Sequence, residues 1–162
     1  MLLITVGTDR PFDRFIEAMD TWAAQNKEVE CFAQIGRTNY EPKHIPYCRF
    51  LDSDAFDRKL ERSKLVVAHA GMGTVLKARA LALPMIVFPR SPEYGEASNS
   101  HQIDTAQALA SLGIASVAFD VDELFSRLSC RDSFLKPPSN ATVDTNFVKS
   151  LRGILTESRP TI

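Results

Sequence analysis

Short aliphatic runs alternate with helical patterns along most of this chain, and this alternation restricts the fold more than any other feature of the sequence. The predicted strands are LLITV (2–6), VECFAQI (29–35), YCRFL (47–51), KLVVA (64–68), PMIVF (84–88) and IASVAF (114–119). Helices are predicted over about 54–63, 74–82 and 99–112, and after Pro11 with an apolar face of Phe12, Phe15, Ile16, Met19 and Ala23. Such alternation predicts an α/β fold, a single doubly wound Rossmann-like domain with a parallel sheet.

The chain has the length and composition of one domain. It has 162 residues, 44% of them hydrophobic, which is enough for one ordinary core. We expect this domain to cover 1–135, followed by a turn-rich linker over 136–146. An amphipathic helix is predicted over 147–158, with an apolar face that packs on the domain or on a partner protein.

The charge and the cysteine content of the chain limit which partners it is expected to bind and in which cellular compartment it is expected to lie. The formal net charge is −1, which gives no support to nucleic-acid binding. Cys31, Cys48 and Cys130 are widely spaced and form no zinc or disulfide pattern. The first residues lack a basic leader, and no apolar run is long enough for a spanning helix, so we expect a cytoplasmic protein.

Two Asp-x-Asp triplets could in principle bind a divalent cation through their carboxylates. They are residues 52–54 and 120–122, and each precedes a helical pattern. N-capping explains carboxylates at these positions more simply than cation binding does. We therefore predict no metal site and no cofactor.

The segment LVVAHAGMGT (65–74) points to a phosphate site. A strand is followed by a turn with Gly71 and Gly73 and then by a helix, whose free amides and positive dipole end favour an anion. The two glycines are expected to permit positive φ and close approach of a ligand. Ligands of open parallel sheets lie beyond the carboxyl ends of the strands, where Gly7 and the polar stretch 89–99 also fall.

Other nucleotide-binding motifs match this segment less well. Gly71-Met72-Gly73 begins a dinucleotide fingerprint, but Leu76 occupies the position of its third glycine. The lysine that defines a kinase or ATPase phosphate loop is absent from the turn. A nicotinamide-dependent oxidoreductase remains a less favoured alternative, and so does a regulatory or scaffold domain that binds a nucleotide without catalysis.

Several motifs in order resemble the C-terminal, donor-binding half of family 28 glycosyltransferases. They are LLITVGTDRPFDRFIEAMD at the start, QIG at 34–36, AHAGMGT, PMIVFPR and YGEASNSHQIDTAQALASLGIA. The likeness is greatest to the small catalytic subunits of two-component enzymes, both the exopolysaccharide type of bacteria and the subunit that extends dolichol-linked N-acetylglucosamine. The resemblance covers about residues 1–118 and implies one half of a GT-B fold.

This resemblance implies a function and its partners. The chain would be the catalytic, donor-binding subunit of an inverting hexosyltransferase that takes its sugar from a UDP-sugar without a metal ion. A membrane-anchored subunit would bind the acceptor, a lipid-linked saccharide of polysaccharide or glycan biosynthesis. That partner would recruit the chain to the inner face of the membrane.

The resemblance also assigns substrate-binding residues. Gly71, Met72, Gly73 and Thr74 would lie against the diphosphate, and the loop with Gly7 and Thr8 would close over it. Phe50 and Leu51 would pack on the uracil. Asn99, His101 and Gln102, preceded by Glu96, would reach the donor sugar, although Asn99 is also a plausible helix cap.

Three further residues have more than one possible role. His69 is a candidate acid or base, or a structural residue, and Asp9 is a weaker catalytic candidate. The resemblance implies that the general base comes from the other half of the enzyme. Many relatives bind the ribose with a carboxylate where this sequence has Lys77, which we expect to point into solvent.

Overall fold

Six short strands form one parallel sheet in the computed structural model of the chain, which describes residues 1–131. The strands are β1 (Leu2–Thr5), β2 (Cys31–Gln34), β3 (Tyr47–Cys48), β4 (Leu65–Ala68), β5 (Met85–Val87) and β6 (Ser116–Val117). The helices are α1 (Asp13–Gln25), α2 (Ser53–Glu61), α3 (Met72–Ala80), α4 (His101–Ser111) and α5 (Val121–Ser129).

The strand order is β3-β2-β1-β4-β5-β6, with every pair parallel. This is the order of a doubly wound Rossmann-like sheet, so the predicted fold class is confirmed. Successive strands are added toward one edge of the sheet up to β3 and toward the other edge from β4 onward. The reversal lies between β1 and β4, and this position is the switch point of the sheet. The carboxyl ends of these two strands therefore diverge into loops that leave a crevice between them.

Two apolar clusters cover the two faces of the sheet. β1 and β4 are buried along their whole length, and alternate side chains enter opposite clusters, with Ile4 in one and Leu3 in the other. The first cluster includes α1 and α5, and the second includes α2, α3 and α4. All five apolar residues predicted for the face of the first helix are buried. The core therefore lies in three layers, as in sheets covered on both faces.

Aspartates from the two Asp-x-Asp triplets are the N-caps of two helices, as predicted. The side chain of Asp52 accepts a hydrogen bond from the amide of Ala55, 2.7 Å away, at the start of α2. At the start of α5, Asp120 accepts from the amide of Glu123 at 2.8 Å. These bonds satisfy amides that the first turn of a helix leaves unpaired.

Most element boundaries differ from the predicted ones by one to three residues. β3 ends at Cys48 and β6 spans two residues, because each is an edge strand with one neighbour. Helix α3 begins at Met72, two residues earlier than predicted, so Gly73 lies in its first turn. The end of the predicted domain, the linker over 136–146 and the helix over 147–158 lie outside the described residues. Within residues 1–131, no helix is long and apolar enough to cross a membrane.

We predict that Gly36→Ala destabilises the protein by about 2 kcal/mol more than Gly113→Ala does. Both glycines have positive φ, 55° and 63°. A Cβ atom at Gly36 would lie 2.6 Å from the carbonyl oxygen of Gly7, whereas one at Gly113 would meet nothing within 4 Å. Urea denaturation of the two variants measures the difference, and equal losses would contradict it.

Candidate functional site

A cavity of about 350 Å³ opens at the carboxyl ends of the strands on both sides of the switch point. Residues from the ends of β1 and β2, from the loops after β1, β3 and β4, and from α2 and α3 form its wall. They are Thr5, Gly7, Thr8, Asp9, Gln34, Leu51, Asp52, Ser53, Phe56, His69, Gly71, Gly73, Thr74 and Lys77. The cavity therefore lies where open parallel sheets bind their ligands.

The first turn of α3 forms one side of this cavity. Its N-cap residue is Gly71, which makes no side-chain cap; α1 and α4 also lack one, whereas aspartates cap α2 and α5. Amides in the first turn of a helix have no carbonyl partner within the helix, and they carry the positive end of the helix dipole. Because Gly73 and Thr74 line the cavity, this turn is suited to an anion.

The imidazole of His69 packs between two glycines. A Cβ atom built at Gly7 would lie 2.6 Å from Cε1 of the ring, and one at Gly71 would lie 2.1 Å from Nε2. Neither position has room for a larger residue while the ring stays in place. The ring thus joins the loop after β1 to the loop after β4, and the two glycines serve its packing.

His69 is neutral at physiological pH. Burial, reinforced by the positive charge of Arg90, lowers the pKa of His69 to about 4. The Nδ1 atom is buried and makes no hydrogen bond of normal geometry within residues 1–131, although the nearby backbone of Thr5 partly opposes the lowering of the pKa. A buried polar atom without a partner costs free energy, and such atoms are often found at functional sites.

The expected positive φ at Gly71 and Gly73 is wrong. Gly71 has φ of −88°, and neither glycine is among the residues with positive φ. The reason is that α3 begins early, so Gly73 has helical geometry. A Cβ atom at Gly73 would meet nothing within 4 Å, which leaves open space in front of the helix.

The opposite wall of the cavity belongs to α2 and the loop before it. Leu51 and Phe56 supply apolar surface, and Ser53 supplies a hydroxyl. Lys77 of α3 reaches across to α2, where its Nζ lies 2.5 Å from Oδ1 of Asp57 and 3.3 Å from Oγ of Ser53. Lys77 therefore does not simply point into solvent, as we expected, because Asp57 holds its ammonium group beside the cavity.

The structure brings together most of the residues predicted for the diphosphate, one residue predicted for the uracil and the two catalytic candidates. Those that line the cavity are Gly7, Thr8, Asp9, Leu51, His69, Gly71, Gly73 and Thr74. The remaining predicted residues are absent from its lining: Phe50, Met72, Glu96, Asn99, His101 and Gln102.

These remaining residues have other contacts. Phe50 is half exposed, and Met72 packs against the second core cluster. Gln102 accepts a hydrogen bond from the amide of Arg90 through Oε1, and Asn99 accepts one from the amide of His101 through Oδ1. The assignment of Asn99, His101 and Gln102 to the donor sugar stays a prediction, and so do those of Phe50 to the uracil and of Met72 to the diphosphate.

Glu96 lies beside a second cavity, on the other side of the loop after β1. Its carboxylate accepts two hydrogen bonds from Arg14, at 2.8 and 2.9 Å, and a third from the amide of Ser91. The guanidinium of Arg14 is stacked between the rings of Phe88 and Tyr94, 4.4 Å from each centroid. Glu96 therefore has a structural ion pair that fixes α1 to the loop after β5.

Arg90 is a buried charge that sequence reasoning missed. It is 2% exposed and donates to the carbonyl oxygens of Val6 and Pro11, at the two ends of the loop after β1. Its guanidinium also lies 4.6 Å from the centroid of the Phe12 ring. An arginine after a strand resembles a solvent-exposed loop residue, so the sequence contains no signal for this role.

Residues 1–131 contain no group of three or more His, Cys, Asp or Glu side chains that could hold a metal ion.

The chain matches a family model over most of its length. Residues 1–154 match the glycosyltransferase family 28 C-terminal domain. No curated protein matches the sequence significantly.

Solved structures with a similar fold come from glycosyltransferases. ALG13 is 18% identical with a TM-score of 0.63, and the match covers 97% of this chain and 95% of that one. The glycotransferase of kitacinnamycin is 20% identical with a TM-score of 0.58, covering 97% of this chain and 40% of that one. Acinetobacter baumannii MurG is 19% identical with a TM-score of 0.54, and the match covers 83% of this chain and 42% of that one. The chain thus spans less than half of the two larger proteins.

We predict that His69 makes the folded protein sensitive to mild acid. The unfolded chain binds a proton at His69 near pH 6.5 and the folded chain only near pH 4, so stability falls as the pH drops through this window. At about pH 5 the loss due to His69 is about 2 kcal/mol relative to neutral pH. Denaturant unfolding of the wild type and of His69→Gln at both pH values measures this loss, since the other titrating groups are shared. Equal pH dependence of the two proteins would contradict the prediction.

Proposed function

The chain belongs to the glycosyltransferase family 28 C-terminal domain family, and we propose that it is the donor-binding, catalytic subunit of an inverting UDP-sugar glycosyltransferase. The observation that carries this proposal is the uncapped first turn of α3, which lines the cavity at the switch point of the sheet. A diphosphate is the ligand that such a turn suits. The apolar surface of Leu51 and Phe56 is suited to a base at one end of the cavity.

The proposed reaction is a single displacement. An oxygen of the acceptor hydroxyl forms a bond to the anomeric carbon of the donor sugar, and the bond from that carbon to the diphosphate oxygen breaks. UDP leaves with the bonding electrons, the hydroxyl proton passes to a base, and the anomeric configuration inverts. The amides of α3 would stabilise the negative charge that develops on the diphosphate, so the proposal requires no metal ion.

His69 has the properties of a hydrogen-bonding residue rather than of a general base. A base works best when its pKa is near the operating pH, and the pKa of His69, lowered by burial, is about 4. A neutral imidazole between Gly7 and Gly71 is well placed to orient the two loops around the diphosphate. We propose that the base comes from the acceptor-binding partner.

The partner is proposed to be a membrane-anchored subunit that presents a lipid-linked saccharide acceptor. Support comes from the family match, because the matched model is the C-terminal domain, which is the donor-binding half in the proposed enzyme. Binding to that subunit would bring the chain to the inner face of the membrane. Genes adjacent to the one for this chain are the first source of candidate partners.

We predict that UDP raises the melting temperature of the protein and that NAD and NADP do not. A ligand that binds only the folded state stabilises it by about 2.7 kcal/mol at one hundred times its dissociation constant. Thermal unfolding with each nucleotide is the measurement. Stabilisation by NAD without any by UDP would support the oxidoreductase alternative instead.

Gly73→Leu is expected to abolish the effect of UDP while leaving the protein folded. The leucine has open space at Gly73 and a better helix propensity than glycine, but it would fill the front of the cavity. Ala110→Leu, at an exposed position of α4 outside this cavity, is the matched control for ligand response. With the partner subunit co-expressed, Gly73→Leu should also lower sugar transfer at least about tenfold. UDP binding by the wild type without any transfer in the presence of the partner would support the binding-only alternative.

A further inference from the structure

A second cavity, of about 390 Å³, lies on the other side of the loop after β1 from the cavity at the switch point, which is here called the donor cavity. Asp9 lines the donor cavity and the next residue, Arg10, lines the second cavity, so one stretch of backbone separates the two. The start of α1 and the loop after β5, including Tyr94, complete its wall. Its volume falls in the range of about 300–1,000 Å³ that is typical of small-ligand sites.

Arg10 has hydrogen-bond donors at the second cavity that no carboxylate uses. A guanidinium group carries five N–H bonds. Within residues 1–131 the side chain of Arg10 makes a single hydrogen bond, from Nη2 to Oγ of Ser98, and forms no ion pair. The other charges of the lining are occupied, because Arg14 is paired with Glu96 and the carboxylate of Asp13 accepts hydrogen bonds from the loop after β2. Most donors of Arg10 are therefore left for a ligand.

The ring of Tyr94 adds an open aromatic face to the second cavity. The guanidinium of Arg14 lies 4.4 Å from the ring centroid and covers one face. The residue is nevertheless 57% exposed, so the other face is open. The face of an aromatic ring is electronegative and attracts the C–H groups on one side of a sugar ring, whose hydroxyl oxygens accept hydrogen bonds. An open ring face beside unused N–H donors is therefore a combination that suits a saccharide.

The geometry of the proposed displacement indicates which saccharide this is. When the anomeric configuration inverts, the attacking oxygen approaches the anomeric carbon from the side opposite to the leaving diphosphate. The first turn of α3 would hold the diphosphate on the β4 side of the loop after β1. The second cavity lies on the α1 side of the same loop. A sugar bound there would therefore approach the donor from the side opposite to the leaving group, as an acceptor must.

We propose that the second cavity binds a sugar ring of the acceptor saccharide, with Tyr94 stacked on the ring and Arg10 donating to its hydroxyl oxygens, an inference that rests on the proposed function. The acceptor is then held by both subunits, its lipid end by the partner and its saccharide end by this chain. The donor-binding subunit thereby takes part in selecting the acceptor.

The test separates acceptor use from donor use in Tyr94→Ala and Arg10→Gln. Each variant is co-expressed with the partner subunit, and sugar transfer from a labelled UDP-sugar is measured while a membrane lipid extract of the organism that carries the gene is added in increasing amounts. The half-saturating amount of extract should rise at least about tenfold in each variant, because a contact to the acceptor is lost. The affinity for UDP, measured by titration calorimetry, should stay within about twofold of the wild-type value.

Matched substitutions control for the loss of a ring or of a positive charge. Tyr94→Phe keeps the aromatic face and should need no more than about threefold more extract than the wild type. Tyr47→Ala removes another exposed tyrosine and Arg58→Gln another exposed arginine, and neither residue lines either cavity. Both of these controls should use the extract as the wild type does. Thermal unfolding of every variant checks that it is folded.

The outcomes separate this inference from the proposed function. A loss of acceptor use in Tyr94→Ala and Arg10→Gln that spares UDP binding and both controls supports the inference. If the two variants use the extract normally, no longer co-purify with the partner, or raise the KM for the UDP-sugar by the same factor, the inference is wrong and the proposed function stands. If the folded wild type binds no UDP, or transfers no sugar with the partner present, the proposed function fails and the inference fails with it.

Discussion

The packing of His69 between two glycines determines the geometry of the whole candidate site. The ring comes from the end of β4, and its neighbours Gly7 and Gly71 belong to the loop after β1 and to the start of α3. β1 and β4 are the two central strands of the sheet, so this contact connects the loops on the two sides of the switch point. The uncapped first turn of α3 therefore lines the cavity at this point.

Buried and half-buried charges fix the loops around this contact. Arg90 donates to carbonyl groups at both ends of the loop after β1, and the Arg14–Glu96 pair ties α1 to the loop after β5. Arg90 also contributes to the low pKa of His69, after burial itself. A buried charge of this kind is tolerated only when its hydrogen bonds are satisfied, so each loop depends on the other for its conformation.

The sequence predicted the sheet and the anion site better than it predicted the rest of the cavity. Aliphatic runs and a helical face such as that of Phe15 and Met19 reflect local periodicity, which is why the order of elements was predictable. The role of the segment around Gly73 followed from a short motif. Arg90 and the Lys77–Asp57 pair were not predicted, because each depends on contacts between elements distant in sequence. The error about φ at Gly71 arose because the start of a helix cannot be placed to within two residues from its pattern.

The central claim is that the first turn of α3 binds the diphosphate of a nucleotide. Chemical shifts of the backbone amides in a ¹⁵N-labelled sample, followed as UDP is added, test it most directly. We expect the largest shifts at Met72, Gly73 and Thr74, with smaller ones at Gly7 and Thr8. Unchanged shifts at these amides, or the largest shifts in the cavity beside Arg14 and Tyr94, would contradict the account.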